Sequence, residues 1–332
     1  MEKISFLGCG SWGGALGNIL AEKNFDVTMW HRNDVVVSSL NKTREHYLIH
    51  ELTFPKNVNF TNNISSAIRS ANVVILAIPS QSIRKLLIEN RSEFYQDQTI
   101  VNVSKGIEVD TLMTVSEVIN DVLGNTYKKT VTISGPSHAE EVIQKYPTTL
   151  VVASSNLKAA QKIQDLFASD MLRTYRNKDI KGVELGGSMK NVIAIAAGIC
   201  DGIGYGDNSK AALITRGMAE ITRLGKKMGG KSKTFRGLSG FGDLIVTCLS
   251  THSRNRQIGQ AIGEGRSLKE IISEMNMIAE GIDTAKSVHQ LQLKHNVEMP
   301  IHEAIYQVLF YNKDPKSAVT ELMNRRLTEE NN

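Results

Sequence analysis

Cysteine and proline are scarce in this chain, and long apolar runs and runs of like charge are missing. Each shortage narrows what the protein can be. The three cysteines, Cys9, Cys200 and Cys248, stand far apart with no C-x-x-C between any two. That spacing excludes a disulfide framework and a cysteine zinc site, and it fits a reducing compartment. Only 6 prolines accompany 26 glycines, and 22% of residues are charged, which excludes disordered, collagenous and low-complexity compositions. No window approaches the ~18 consecutive apolar residues of a membrane span, and the N-terminus has no basic stretch leading into an apolar one. A soluble, cytoplasmic protein without membrane insertion is expected. The 39 Lys and Arg exceed the 34 Asp and Glu by a net +5 spread along the chain. This is too diffuse to imply a nucleic-acid partner, yet it suits anionic small ligands. His302-Glu303 has no second histidine four residues on, and no carboxylate cluster has ligand spacing, so no metal is expected. No G-x-S-x-G elbow is present, which removes the Ser/His/Asp nucleophile class.

What is present is a change of period. At 332 residues the chain has room for two domains. From Ile4 to about Tyr175, short β-branched runs recur: ISFL (4–7), VTMW (27–30), VVILAI (73–78), TIVNVS (99–104), VTIS (131–134), TLVVAS (149–154) and MLRTY (171–175). Runs apolar on both faces predict buried, mostly parallel strands in an α/β sheet with helices on its faces. Beyond about Asn177 the spacing becomes helical, and segments from Ala211, Ser267, Asp283 and Pro300 read the same way. The expected architecture is an α/β N-terminal Rossmann-type domain, residues 1–180, followed by an all-α domain, residues 181–332. The two would be joined directly through the start of a helix near 176–182.

GCGSWG, Gly8 to Gly13, follows the first strand and opens a helix marked by Trp12, Ala15, Leu16, Ile19 and Leu20, with a second strand after it. In such a βαβ unit Gly8 makes the turn, Gly10 lets the backbone approach a pyrophosphate, and Gly13 allows close helix-to-strand packing. The helix N-terminus supplies N–H groups and partial positive charge for the phosphates. An acid at the end of the second strand would bind a ribose 2′-hydroxyl, and an Arg would suit a 2′-phosphate. His31-Arg32-Asn33 stands there, which favours NADPH; Asp34 follows at once and keeps NADH as the alternative.

Three other strand ends carry polar turns: Ile78-Pro79-Ser80, Asn102-Val103-Ser104-Lys105-Gly106 and Ser134-Gly135-Pro136-Ser137. In the helical half, Leu185, Met189, Val192, Ile193 and Ala196 form one helical face, while Gly186, Gly187, Lys190, Ala194 and Ala197 form another. An ammonium among small apolar residues is desolvated, which lowers its pKa and prepares it for proton transfer. Asp243 would raise that pKa if close, whereas burial and Arg254 would lower it. LSGFGDLIVTC (238–248) reads as a Gly-rich turn leading through Asp243 into an apolar run. Ser253, Arg254 and Asn255 before a helix form a candidate phosphate site.

GCGSWGGALG, SKGIE, SGPSHAEE, LGGSMKNVIAIAAGICDGIGYGDNSKAALITRG, SGFGDLIVTC, SRNR and AEGI together resemble the bacterial-type NAD(P)-dependent glycerol-3-phosphate dehydrogenases, over nearly the whole chain and in the right order. The resemblance implies reversible hydride transfer between NAD(P)H and dihydroxyacetone phosphate, giving sn-glycerol 3-phosphate for phospholipid synthesis, and a homodimer. It implies Lys190 as catalytic acid/base. Lys105, Gly135, Ser137, Asp243, Ser253, Arg254 and Asn255 would be substrate contacts. Ser11, Trp12, Arg32, Lys105, Ala139, Arg254, Ile278 and Glu280 would be cofactor contacts. Two other readings stay open: a hydroxyacid or sugar-acid-phosphate reductase of the same plan, which would not need SRNR, and a nucleotide-sensing protein without chemistry, which would not need Lys190.

Overall fold

The computed structural model describes residues 2–124, 129–275 and 279–330. Eight strands form one sheet: β1 (Lys3–Leu7), β2 (Asp26–Trp30), β3 (Val58–Thr61), β4 (Val73–Leu76), β5 (Thr99–Asn102), β6 (Thr130–Ser134), β7 (Thr148–Ala153) and β8 (Leu172–Asn177). Their order is β3-β2-β1-β4-β5-β6-β7-β8, and every neighbouring pair is parallel except β6 with β7. The helices among them are α1 (Ser11–Glu22), α2 (Asp34–Thr43), α3 (Ile64–Arg69), α4 (Ser80–Glu89), α5 (Val115–Leu123), α6 (Ala139–Ile143) and α7 (Leu157–Phe167).

The continuous apolar runs form strands because both faces are covered. In β4, Val73 and Ile75 join the core beneath α1 and α7, whereas Val74 and Leu76 join the core beneath α3, α4 and α5. Two expectations change here. The strand β3 escaped detection because it lies at the sheet edge and alternates, with Val58 and Phe60 buried and Asn59 exposed. Edge position leaves one side in water, and an apolar run is then not required. The segment 238–248 is not a simple turn: Leu238–Gly242 form a π-helical turn. A Cβ on Gly240 there would lie 2.1 Å from the Phe235 carbonyl oxygen.

The remaining helices are α8 (Ile180–Ile203), α9 (Asp207–Lys227), α10 (Ser232–Phe235), α11 (Asp243–Leu249), α12 (Arg254–Gly263), α13 (Leu268–Glu274), α14 (Glu280–His295), α15 (Pro300–Tyr311) and α16 (Pro315–Met323). Asp179 starts α8: one carboxylate oxygen caps Gly182 N at 2.9 Å, and the other accepts from Lys231 N and Thr234 Oγ1. The two-faced reading of α8 gives way to a central helix, buried on all sides from Gly182 to Cys200 and packed against α9, α11, α12, α14 and α15. By length and mean hydropathy (1.3) α8 could cross a bilayer, but that window is wholly buried in the fold. Glycines bring α12 unusually close to it. A Cβ on Gly198 would fall 1.9 Å from the Arg256 carbonyl oxygen, and one on Gly259 would fall 1.9 Å from that of Ile195. The start of α12 is thereby held in fixed register with the middle of α8.

Candidate active site

The strand order reverses between β1 and β4, the place where open α/β sheets collect ligands. Gly8 sits there with φ +121°, and a Cβ would lie 2.3 Å from the Ala77 carbonyl oxygen of the neighbouring chain segment. On Gly13 a Cβ would lie 2.5 Å from the Gly8 carbonyl oxygen, which is the close helix-to-strand approach expected. A Cβ on Gly10 would meet nothing within 4 Å, so the backbone at the head of α1 borders open space. That space suits a pyrophosphate facing helix N–H groups. Buried Ser11 and half-buried Trp12 open α1, and Ala139 opens α6, which packs on α1.

The strand β2 ends at Trp30, as the spacing predicts. Asn33 caps α2 through Val35 N at 2.8 Å, and Asp34 lies inside that helix, its Oδ1 accepting from Asn62 Nδ2 at 2.6 Å. Arg32 is exposed beside half-buried His31. His31 has its pKa lowered by burial and has its ring 5.5 Å from that of Tyr47.

Three distant segments meet at Asp243. Its Oδ1 accepts from Lys190 Nζ at 2.6 Å, and its Oδ2 accepts from Lys105 Nζ at 2.7 Å. Thr247, one helical turn on, accepts a second hydrogen bond from Lys190 and donates to the Asp243 carbonyl oxygen at 2.6 Å. Lys105 also reaches the Gly135 carbonyl oxygen at 3.0 Å, as does Ser137 Oγ at 2.9 Å. Gly135 has φ +149°, and Gly187 lets α8 approach, since a Cβ there would lie 2.6 Å from Ser134 Oγ. Lys190 is 4% exposed. Burial lowers its pKa to about 8; Asp243 opposes that shift and the Lys105 ammonium adds to it. Lys105 is thus a cation acting on Lys190 to which the sequence did not point.

The SRNR segment is part cap and part strut. Ser253 Oγ caps α12 through Arg256 N at 3.3 Å, and Asn255 Oδ1 accepts from Gly281 N at 3.1 Å, which joins α12 to α14. Half-buried Arg254 lies in the field of Glu140 and Glu280. Glu280 in turn accepts from Ser80 N at 2.9 Å and Ser80 Oγ at 2.5 Å at the head of α4. Gly106 is needed there, because a Cβ would lie 2.1 Å from Ser80 Oγ. Ile278 lies outside the described residues.

Sequence reasoning did not assign His138 or Thr247. His138 has a buried Nε2 with no partner among the described residues, and its ring is 5.9 Å from that of His252. Burial, and then Lys190 and Lys105, lower its pKa. Only its place between Ser137 and Ala139 could have pointed to it. Thr247 stands four residues after Asp243, a spacing that puts both on one face of α11.

A doubly covered open sheet with a dinucleotide-type turn at its switch point, facing a buried ammonium on a central helix, defines a pyridine-nucleotide-dependent dehydrogenase. Comparison with known proteins narrows the class. The family models for the N-terminus and the C-terminus of NAD-dependent glycerol-3-phosphate dehydrogenase match residues 3–160 and 179–320. A glycerol-3-phosphate dehydrogenase [NAD(P)+] of Clostridium perfringens is 49% identical over 326 residues, covering 98% of each chain. One from Chlorobium phaeobacteroides is 49% identical over 330 residues, covering 99% of each. The crystal structure of glycerol-3-phosphate dehydrogenase from Coxiella burnetii superposes with a TM-score of 0.93 at 34% identity, over 98% of this chain and 99% of that one. The chain belongs to the NAD-dependent glycerol-3-phosphate dehydrogenase family.

Proposed function

We propose that the protein catalyses the reversible reduction of dihydroxyacetone phosphate to sn-glycerol 3-phosphate with NADPH, NADH being the lesser donor. The observation that supports the reading is the Lys105–Asp243–Lys190 cluster, which holds a buried ammonium of pKa about 8. A group titrating near neutral pH can both give and take a proton.

The bound cofactor supplies or receives the hydride at its nicotinamide; the rest falls to this chain. Gly8, Gly10, Gly13 and the head of α1 hold the pyrophosphate, with Ser11, Trp12 and Ala139 around it. Exposed Arg32 would meet the 2′-phosphate, while Lys105, Arg254 and Glu280 would complete the cofactor side. Arg254, with Ser253 and Asn255 at the head of α12, holds the substrate phosphate; Lys105, Gly135, Ser137 and Asp243 line the rest. Remote phosphate binding orients the ketone, which can contribute up to ~7 to 11 kcal/mol. As hydride reaches the carbonyl carbon, Lys190 gives its proton to the carbonyl oxygen, and in oxidation it takes that proton back. Asp243 keeps the ammonium aimed.

Residues 1–180 serve as the cofactor half and 181–332 as the substrate and catalytic half. A cytoplasmic homodimer supplying glycerophospholipid synthesis is the setting this reading implies. Purified protein mixed with NADPH and dihydroxyacetone phosphate should oxidise the cofactor, followed at the nicotinamide absorbance. Turnover with hydroxyacids or sugar-acid phosphates and none with dihydroxyacetone phosphate would refute the assignment.

A further inference from the structure

Glu184 lies on α8 ahead of Lys190, 4% exposed, and the chemistry above does not use it. A carboxylate enclosed this way is unfavourable unless its oxygens are satisfied. Here they are satisfied by the other half of the molecule. Oε1 accepts from Asn102 Nδ2 at 3.2 Å, Ser116 N at 3.0 Å and Thr132 Oγ1 at 2.8 Å, and Oε2 accepts from Ser116 Oγ at 2.6 Å. These donors come from the end of β5, the first turn of α5 and the middle of β6. Burial raises the Glu184 pKa, and the hydrogen bonds oppose it.

Asn102 passes the constraint on. Its Oδ1 accepts from Ser104 N at 2.9 Å, its Nδ2 also reaches the Ser104 carbonyl oxygen at 3.1 Å, and Ser104 Oγ donates to the Ile78 carbonyl oxygen at 2.6 Å. The next residue is Lys105, which meets Asp243 Oδ2, and Asp243 Oδ1 returns to Lys190 on α8. The contacts close a circuit that leaves α8 at Glu184 and re-enters it at Lys190. Apolar side chains in place of the whole cluster could pack the two halves together at similar stability, since buried ionic groups are often neutral or costly. What they could not do is fix the 102–105 turn by direction and distance.

We propose that Glu184 is a positioning residue for the reaction: by clamping Asn102, Ser116 and Thr132 it sets α8 and the 102–105 turn in one register, so that Lys190 and Lys105 reach opposite oxygens of Asp243. The inference rests on the reading of Lys190 as the proton-transfer group. The ionisable groups acting on that lysine are Asp243 and Cys248 from α11 and Lys105 from the turn after β5, and the His138 imidazole at the head of α6 responds to it.

The test uses the full chain with Glu184→Gln and Asn102→Ser, measured for NADPH affinity, KM and the pH profile of kcat, with Lys190→Ala alongside. Freeing the 102–105 turn lets Lys105 part from Asp243, which misaligns the cluster and removes a cation that lowers the Lys190 pKa. Glu184→Gln should therefore reduce kcat for ketone reduction by about 10- to 100-fold. It should move the alkaline fall of kcat to higher pH, with NADPH affinity changed far less than kcat. Asn102→Ser, which breaks the circuit elsewhere, should move the same limb in the same direction. A folded Glu184→Gln protein that melts earlier yet keeps the parent kcat and pH profile would overturn the proposal and leave Glu184 a structural tether. If that variant does not fold, an unchanged pH profile in Asn102→Ser overturns it instead. Normal turnover in Lys190→Ala would sink the underlying reading, whereas a dead Lys190→Ala with unmoved profiles in the other two removes only the positioning role.

Discussion

Lys190 and Asp243 meet at 2.6 Å with their side chains only 5% and 2% exposed. Burial and ion pairing act in opposite directions on the lysine, and burial prevails, bringing it to about 8. Carbonyl reduction needs the ammonium form, so kcat for dihydroxyacetone phosphate reduction should fall as pH rises through about 8. Oxidation of glycerol 3-phosphate needs the neutral amine and should rise over the same interval. The folded-state value lies below the ordinary ~10.4, so the unfolded chain binds more protons between the two and stability should rise with pH across that window. Denaturant titrations of the parent and Lys190→Met check this, because the methionine variant should lack that component of the slope.

Arg254 at the head of α12 is assigned to the substrate phosphate. Its loss should act on binding more than on chemistry, since the proton donor and the hydride path stay in place. Arg254→Ala should raise KM for the phosphorylated ketone by about 10- to 150-fold, the range of a charge-assisted contact worth ~1.5 to 3 kcal/mol. Steady-state kinetics with saturating NADPH checks it. An unchanged KM would remove Arg254 from the phosphate site.

The close contact of α8 with α12 makes Gly259 a sensitive position. A methyl group there would sit 1.9 Å from the Ile195 carbonyl oxygen, a backbone atom that cannot rotate away. Gly259→Ala should destabilise the fold by about 1 to 3 kcal/mol or more through overpacking. It should also raise KM by displacing Arg254 and Asn255. Thermal unfolding together with kinetics separates these effects; a parent-like melting temperature would show that the two helices can part without cost.

The first βαβ unit was legible because its physics is local: a turn that only glycine tolerates, at Gly8, and strands apolar on both faces. Strand β3 was not, because an edge strand needs only Val58 and Phe60 turned inward and presents no run. Lys190 stood out by its setting among small residues, Lys105 by its place at a strand end and Asp243 by the Gly-rich turn before it. Their mutual geometry was not legible, since Lys105 and Asp243 stand 138 positions apart and only the folded helices bring them together. Glu184 gave no signal, because a single acid in an apolar helix has no pattern to mark what it binds. Asp34, the alternative ribose ligand by position, opens α2 with its carboxylate accepting from Asn62.

The proposed preference for NADPH rests on Arg32, exposed just past β2 with no acid in the strand-end position. Arg32→Ala should raise KM for NADPH while leaving KM for NADH nearly unchanged, because only the former carries a 2′-phosphate. The loss should be steepest at low salt, where an exposed charge is least screened. An unchanged ratio of the two KM values would return Arg32 to the role of a solvated surface cation.

The most direct measurement is the rate of NADPH oxidation by Lys190→Ala at saturating dihydroxyacetone phosphate, together with the Kd for NADPH. With the cofactor cradle at Gly8 to Gly13 untouched, Kd should stay at the parent value while kcat falls by about 10² to 10⁴, the span of general acid catalysis. A kcat close to that of the parent, in a protein that still binds NADPH, would contradict the account of Lys190 as the group that moves the proton.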